Sequence, residues 1–223
     1  MVSDHQLVIP GQDLARGYEY LPGKGSFRAG EFIRSKVLGQ VRLKEKVINV
    51  VSFSGVYIPK PGDGVIGVVD DVQTTFWIID INSPYKGILV LSEAVKEFVE
   101  IPKTDISRFY DIDDVIYAKV VNVTKSKIVT LSMMDQRAKK LRGGRIVFIT
   151  PSKVPRLIGK KGSMIEMIKE KTGCQIVVGQ NGVIWIKGER EDLATRAIVE
   201  VERESHTKGL TEKVSELLNG KDL

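Results

Sequence analysis

Residues 157–173 read LIGKKGSMIEMIKEKTG. Two glycines bracket two lysines, and an apolar pattern at helical spacing begins at once. Met164, Ile165 and Ile168 fall on one side, which predicts a helix over 163–172 stopped by Gly173. Upstream, Pro151 and Ser152 open a short helix that tolerates Pro155 in its first turn. Residues 145–149 before it, RIVFI, read as a strand. Downstream, residues 174–178 form a strand, Gln180-Asn181-Gly182 a turn, and residues 183–187 the returning strand. Leu193, Ala197 and Val201 then recur at helical spacing in a helix over 191–205, and a short one follows near 210–219. The order is β-α-α-β-β-α with a helical tail.

In that order the stretch Gly159-Lys160-Lys161-Gly162 joins two helices. Glycine has no side chain to hold off a sugar-phosphate chain, and it permits tight backbone turns. Lysines add compact positive charge without base preference. The helix that starts beside the loop turns its positive dipole end toward an anion. Arg156 adds a further cation, and Ile158 and Ile176 provide an apolar groove for unstacked bases. The surrounding charge fits a polyanion: between Arg137 and Arg190 there are 13 Lys plus Arg against 3 Glu, within a chain of net charge +6.

Working further out, residues 59–136 are β-rich. Pro59-Lys60-Pro61-Gly62-Asp63-Gly64 is a boundary turn. Five apolar runs follow, near 65–69, 74–81, 86–91, 115–123 and 128–131, at a spacing that suggests a small closed barrel of the OB type. Residues 1–58 read as short strands with tight turns, among them Leu21-Pro22-Gly23-Lys24-Gly25. Gly23-Lys24-Gly25 is a hairpin turn rather than a nucleotide loop, because Gly25 stands where a metal-binding Ser or Thr belongs. The expected domains are 1–58, 59–136 and 137–223.

The 223 residues carry one cysteine, Cys174, and two histidines, His5 and His206. No internal disulfide can form, and no zinc-ligand spacing or Ser-His-Asp or Cys-His arrangement is present. The close carboxylates, Asp70-Asp71 and Asp111-Ile112-Asp113-Asp114, sit at strand ends and turns. The expectation is no catalytic residue, no metal and no cofactor. No apolar run reaches membrane-spanning length, and the N-terminus MVSDHQLVIPGQDL lacks the basic start and apolar centre of a signal peptide. A cytoplasmic protein without a membrane partner is expected. Trp185, inside Ile184-Trp185-Ile186, reads as core.

Residues 144–205, with Arg156-Leu157-Ile158-Gly159-Lys160-Lys161-Gly162-Ser163-Met164 as signature, resemble a type I KH domain. That resemblance implies a clamp on about four nucleotides of single-stranded nucleic acid. The short Gln180-Asn181-Gly182 turn stands for the variable loop and leaves little surface for sequence reading. The middle segment resembles the S1 motif through residues 62–69, 86–92 and 129–132. That implies an RNA face with Trp77 at an aromatic position. Val90 stands where many S1 motifs carry a histidine, and Thr124 and Ile128 stand where an Asp and an Arg flank the last turn. Arg108, Lys119, Lys125 and Lys127 are the remaining cations suited to guide a backbone.

The succession of these segments resembles the RNA-binding cap subunits of the archaeal exosome. The opening Val8-Ile9-Pro10-Gly11-Gln12-Asp13-Leu14, the junction at residues 56–63 and the segment at 204–211 are similar to that family's. The resemblance implies a non-catalytic subunit whose N-terminal β domain docks on a hexameric ring of phosphorolytic RNase subunits. Three copies would form the cap, in some assemblies mixed with another cap protein. Single-stranded RNA would be captured, often with a preference for poly(A), and threaded 3′ end first. An alternative is an S1/KH transcription-elongation or translation factor acting outside any nuclease complex. The bacterial factor of that kind carries two KH units, against the single Gly-x-x-Gly read here. A β-rich scaffold with no RNA role is the third reading.

Overall fold

The computed structural model describes residues 2–95, 105–205, 207 and 209–220. The chain divides into two compact units, Met1–Gly55 and Val56–Leu223.

The first unit is all β. Its strands are β1 (Leu7–Val8), β2 (Asp13–Arg16), β3 (Leu21–Pro22), β4 (Ser26–Ala29), β5 (Phe32–Ser35), β6 (Gly39–Lys44) and β7 (Val47–Ser52). They form two small sheets, ordered β1-β6-β7-β3 and β2-β5-β4. Alternate residues point inward along a strand, so Ile48 and Val50 of β7 join Val8, Leu14, Ile33 and Val41 in the core. Outside it, Leu7, Ile9, Tyr18, Leu21, Leu38 and Val51 are exposed.

The second unit opens with a barrel of β8 (Gly64–Val72), β9 (Phe76–Asp80), β10 (Gly87–Val90), β11 (Val115–Val123) and β12 (Val129–Ser132). β8, β9 and β10 are antiparallel neighbours. β12 lies parallel to β10 and antiparallel to β11, and β11 returns to β8, so the sheet closes. This is the five-stranded OB arrangement expected from the spacing of the apolar runs. The short helix α1 (Leu91–Ala94) and a 3-10 turn at Ile106–Arg108 add Leu91, Ala94 and Ile106 to the barrel core. Strand β13 (Lys139–Leu141), counted above with the third segment, pairs with β11 and extends the barrel sheet.

The rest builds a three-stranded antiparallel sheet from β14 (Arg145–Phe148), β15 (Gln175–Val178) and β16 (Val183–Lys187), ordered β14-β16-β15. Helices α2 (Val154–Ile158), α3 (Ser163–Thr172), α4 (Glu191–Arg203) and α5 (Leu210–Leu218) complete it. α3 forms because Met164, Ile165, Ile168 and Thr172 make one buried stripe. It ends at Gly173, whose φ of 68° is the left-handed cap that glycine adopts without cost. α4 buries Ala194, Ala197, Ile198 and Val201, and α5 buries Leu210, Val214 and Leu218. His206 and Lys208 of the C-terminal segment lie outside the described residues.

Strand β16 is buried on both faces. Ile184 and Ile186 face the helical core, whereas Val183 and Trp185 join Ile66 and Leu141 in a second cluster against the barrel. This double burial explains the unbroken apolar run VIWI. Trp185 is 4% exposed, and its indole N–H donates to Gly143 O at 2.6 Å. The core reading of this tryptophan holds.

Candidate nucleic-acid interface

The Gly159–Gly162 loop joins α2 to α3 directly. Gly159 has φ 76° and ψ 177°. A Cβ there would lie 2.8 Å from the Met164 backbone nitrogen, so only glycine fits this close approach. Lys160–Gly162 form a single 3-10 turn in which Lys161 itself is left-handed, at φ 52°. Gly162, at φ 86°, is the N-cap residue of α3 and makes no side-chain cap hydrogen bond. The first N–H groups of α3 therefore receive no side-chain acceptor from their cap. Lys160 and Lys161 are exposed, and neither ammonium has an ion pair or hydrogen bond among the described residues. Other nearby cations are engaged. Lys169 pairs with Glu166 at 2.9 Å, Lys171 bonds Asn219 at 2.9 Å, and Arg156 donates to Thr207 O at 3.2 Å. An anion arriving at Lys160 and Lys161 displaces no protein partner.

Beside the loop, Ile158 is half-buried against the helical core, together with Val178. Ile176 is 6% exposed and belongs to that core. Ile158 and Val178 are thus the part-accessible apolar side chains on this core, and Ile176 lies within it.

On the barrel, Trp77 is fully buried, and this corrects its reading as a surface aromatic. Its indole N–H donates to Tyr110 O at 2.7 Å, and its ring meets Tyr110 edge-on with centroids 5.4 Å apart. An enclosed ring has no face to offer a base. The physical reason is strand parity: β9 buries Trp77 and Ile79 and turns Phe76, Ile78 and Asp80 outward. Phe76 lies opposite Val90 and Ile78 opposite Ile88 across β9 and β10. The outward patch on these strands is half-buried and apolar, with Phe76 as its aromatic, a residue the sequence reading passed over for its neighbour.

The barrel cations fall in three places. Lys125 and Lys127 are exposed on the β11–β12 turn, where the Thr124 hydroxyl accepts from the Ile128 N–H at 3.0 Å and Lys127 is left-handed. Arg108 lies 4.6 Å over the Phe109 ring, a cation–π contact. Lys119 is half-buried and bonded to Asp135 at 3.0 Å. The Arg137 backbone N–H and Lys119 hold the Asp135 carboxyl below its usual range.

One positioning residue escaped the sequence reading. Asn181, assigned only to a turn, is fully buried. Its side-chain amide donates to Ile66 O at 2.7 Å and to Ile81 O at 2.8 Å, and its side-chain carbonyl accepts from Ile66 N at 3.3 Å. The Asn82 amide donates back to Asn181 O at 3.2 Å, and Gln180 N donates to Gly64 O at 2.8 Å. The turn is a clasp between the KH sheet and the barrel. It also carries Gly-x-x-Gly spacing, as Gly179-Gln180-Asn181-Gly182, so the KH segment has a second stretch of that spacing beside Gly159–Gly162.

Among the described residues, no group of three or more His, Cys, Asp or Glu is placed to hold a metal ion. Lys140 pairs with Asp114, and Lys86 bridges Asp70 and Asp80. No described helix is long and apolar enough to cross a membrane.

A KH domain model matches residues 144–192, and a model described as RRP4, S1 domain, matches residues 56–122. The chain is 48% identical over 221 residues to the exosome complex component Rrp4 of Methanothermobacter thermautotrophicus, covering 98% of this chain and 70% of that one. It is 48% identical over 222 residues to the Rrp4 of Thermococcus kodakarensis, covering 97% and 86%. A crystal structure described as an exosome complex RNA-binding protein is 34% identical, with a TM-score of 0.68 over 74% of this chain and 96% of that one. With an S1 model and a KH model matched in succession and this likeness along almost its whole length, the chain belongs to the Rrp4 family of exosome complex components.

Proposed function

We propose that this chain is a non-catalytic, RNA-binding cap subunit of the exosome, capturing single-stranded RNA for 3′-to-5′ degradation by other subunits. The observation that carries this reading is the Gly159–Gly162 loop: two unpartnered lysines on a tight turn at the start of an uncapped helix. Backbone phosphates would rest on the loop and on the first N–H groups of α3, with Lys160, Lys161 and Arg156 neutralising charge. Bases would lie against Ile158 and Val178. The barrel, clasped to the KH domain, would guide the strand along Lys125, Lys127 and the outward face of β9 and β10.

The N-terminal unit is assigned the docking role on a hexameric ring of phosphorolytic RNase subunits. Six large apolar side chains exposed on this unit, Leu7, Ile9, Tyr18, Leu21, Leu38 and Val51, support this as surface that a protein partner would cover. Three copies per assembly, alone or mixed with another cap protein, and a cytoplasmic location complete the reading.

The test is RNA affinity of the whole chain across a salt series, compared with a Lys160→Asp, Lys161→Asp double variant. The expected result is binding weakened by about 10- to 100-fold, with a flatter salt dependence. Unchanged affinity in the folded double variant would remove the loop from the interface. Failure of the whole chain to bind RNA or to join the ring would sink the reading entirely.

A further inference from the structure

Where the barrel meets the KH sheet there is a second concavity of about 470 Å³, apart from the clamp loop and the outward face of β9 and β10. Its walls come from both modules. Gly62, Asp63 and Gly64 enter β8, Tyr117 and Lys119 project from β11, Asp135, Gln136 and Arg137 lead toward β13, and Gln180 comes from the clasp turn. That volume lies within the range of pockets that enclose small organic groups.

The lining favours a neutral, polar, flat ligand over a bare anion. Its charges balance, with Lys119 and Arg137 against Asp63 and Asp135. Lys119 is already bonded to Asp135, and Asp63 accepts the Tyr57 hydroxyl at 2.7 Å. Free hydrogen-bonding capacity in the lining includes two carboxamides. Gln136 and Gln180 are exposed, and neither side chain has a hydrogen-bond partner among the described residues. Each offers two donors and an acceptor, the combination that pairs with the edge of a nucleobase.

Tyr117 lines the pocket and packs against the cluster of Ile66, Leu141, Val183 and Trp185. Tyr117 is half-buried and lies against Gly64, where an added Cβ would be 2.0 Å from the phenol oxygen. Burial raises the phenol pKa, so the hydroxyl stays protonated, and the Arg137 guanidinium sits against it. Aromatic and guanidinium planes are the surfaces on which single-stranded bases stack. At Gly62 a Cβ would meet nothing within 4 Å, so this part of the floor is open.

The pocket adjoins the part-accessible apolar side chains of the KH core in sequence. Val178, which packs on the same core as Ile158 beside the clamp, ends β15 two residues before Gln180. The short turn was expected to leave little surface for sequence reading. In the fold its Asn181 is spent on the clasp, and its Gln180 is turned into this pocket.

We propose that this pocket receives one unstacked base of the bound single-stranded RNA, with Gln136 and Gln180 reading its edge and Tyr117 and Arg137 bracketing it. This inference rests on the RNA-binding reading above and adds a site of base preference to a clamp that has none.

The experiment uses the whole chain, labelled homopolymeric RNAs of adenine, cytosine and uracil of equal length, and a Gln136→Ala, Gln180→Ala double variant. Both glutamines are exposed and unpartnered, so the substitutions spare the fold. Wild-type protein is expected to rank the homopolymers, and the double variant to shrink the spread between best and worst by about tenfold. The Lys160→Asp, Lys161→Asp variant should instead weaken all three alike. The side-chain amide resonances of Gln136 and Gln180 should also move when the preferred nucleoside monophosphate is added to wild type. Absence of any ranking in wild type overturns the inference, as does a ranking the glutamine variant leaves intact. If the wild-type chain binds none of the RNAs, the RNA-binding reading falls with it. If it binds and the lysine variant alone responds, the clamp stands and only the pocket assignment fails.

Discussion

Two turns in the same domain share the spacing Gly-x-x-Gly and have opposite fates. Gly159-Lys160-Lys161-Gly162 faces solvent with both central side chains exposed and unpartnered. Gly179-Gln180-Asn181-Gly182 is pressed against the barrel, with Asn181 fully buried and hydrogen-bonded to Ile66 and Ile81. The first glycine of each permits a close backbone approach. A Cβ at Gly159 would crowd Met164 N, and one at Gly179 would lie 2.9 Å from Ile66 N. What separates them is the chemistry of the middle pair. Two strongly hydrated ammonium groups cannot be buried without partners, and a neutral carboxamide can be buried once its donors and acceptor are met. Spacing makes a tight turn, and the residues inside it decide whether the turn stays open to solvent or seals against a neighbouring domain.

The widest separation between the two should appear in Asn181→Ala. It strips partners from Ile66 N, Ile66 O and Ile81 O in a buried site, at a cost on the order of 3 kcal/mol. Chemical denaturation should show lost stability and two resolved transitions, the KH domain and the barrel melting apart. A single unshifted transition would break the comparison. Replacing both Lys160 and Lys161 by alanine should do the reverse: RNA affinity falls about tenfold, and stability stays within about 0.5 kcal/mol of wild type. Gly159→Ala is intermediate, because φ 76° and the Met164 contact together cost about 1–3 kcal/mol and distort the clamp. Both melting temperature and RNA affinity should fall.

Much of the domain was legible before the structure, and the reasons are local. The stripe Met164, Ile165, Ile168 and the stop at Gly173 are nearest-neighbour signals, and α3 begins and ends where they place it. Barrel closure followed from the spacing of five apolar runs. The misreading at Trp77 came from parity. In FWIID an aromatic occurs at two consecutive positions, and only the register against β10 decides that Phe76 faces out. Asn181 was illegible because its partners are more than ninety residues away, and a buried clasp looks like any other turn asparagine. Strand β13 was missed because Lys139 and Lys140 read as part of a basic tract, although Lys140 is paired with Asp114.

The smallest expected effect sharpens the comparison through pH. Asp80 is held below the usual carboxylate range, chiefly by its bond to Lys86 and also by the Asn82 N–H. Asn82 in turn supports Asn181. Because the folded pKa is depressed, the stabilisation is present above the unfolded pKa and is lost as pH falls through the folded value. Asp80→Asn should therefore flatten the acid limb of stability against pH by a few tenths of a kcal/mol, as befits a half-exposed pair. RNA affinity at neutral pH should not change.

Strand β13 bears on how the molecule carries load. The chain does not cross from barrel to KH domain through a slack tether. It crosses as a strand laddered to β11, Val115 opposite Leu141 through Tyr117 opposite Lys139, and it enters β14 after only three residues. A degrading machine that reels in a gripped strand would pull on the KH domain. That pull would reach the barrel through a row of hydrogen bonds and the clasp turn acting together.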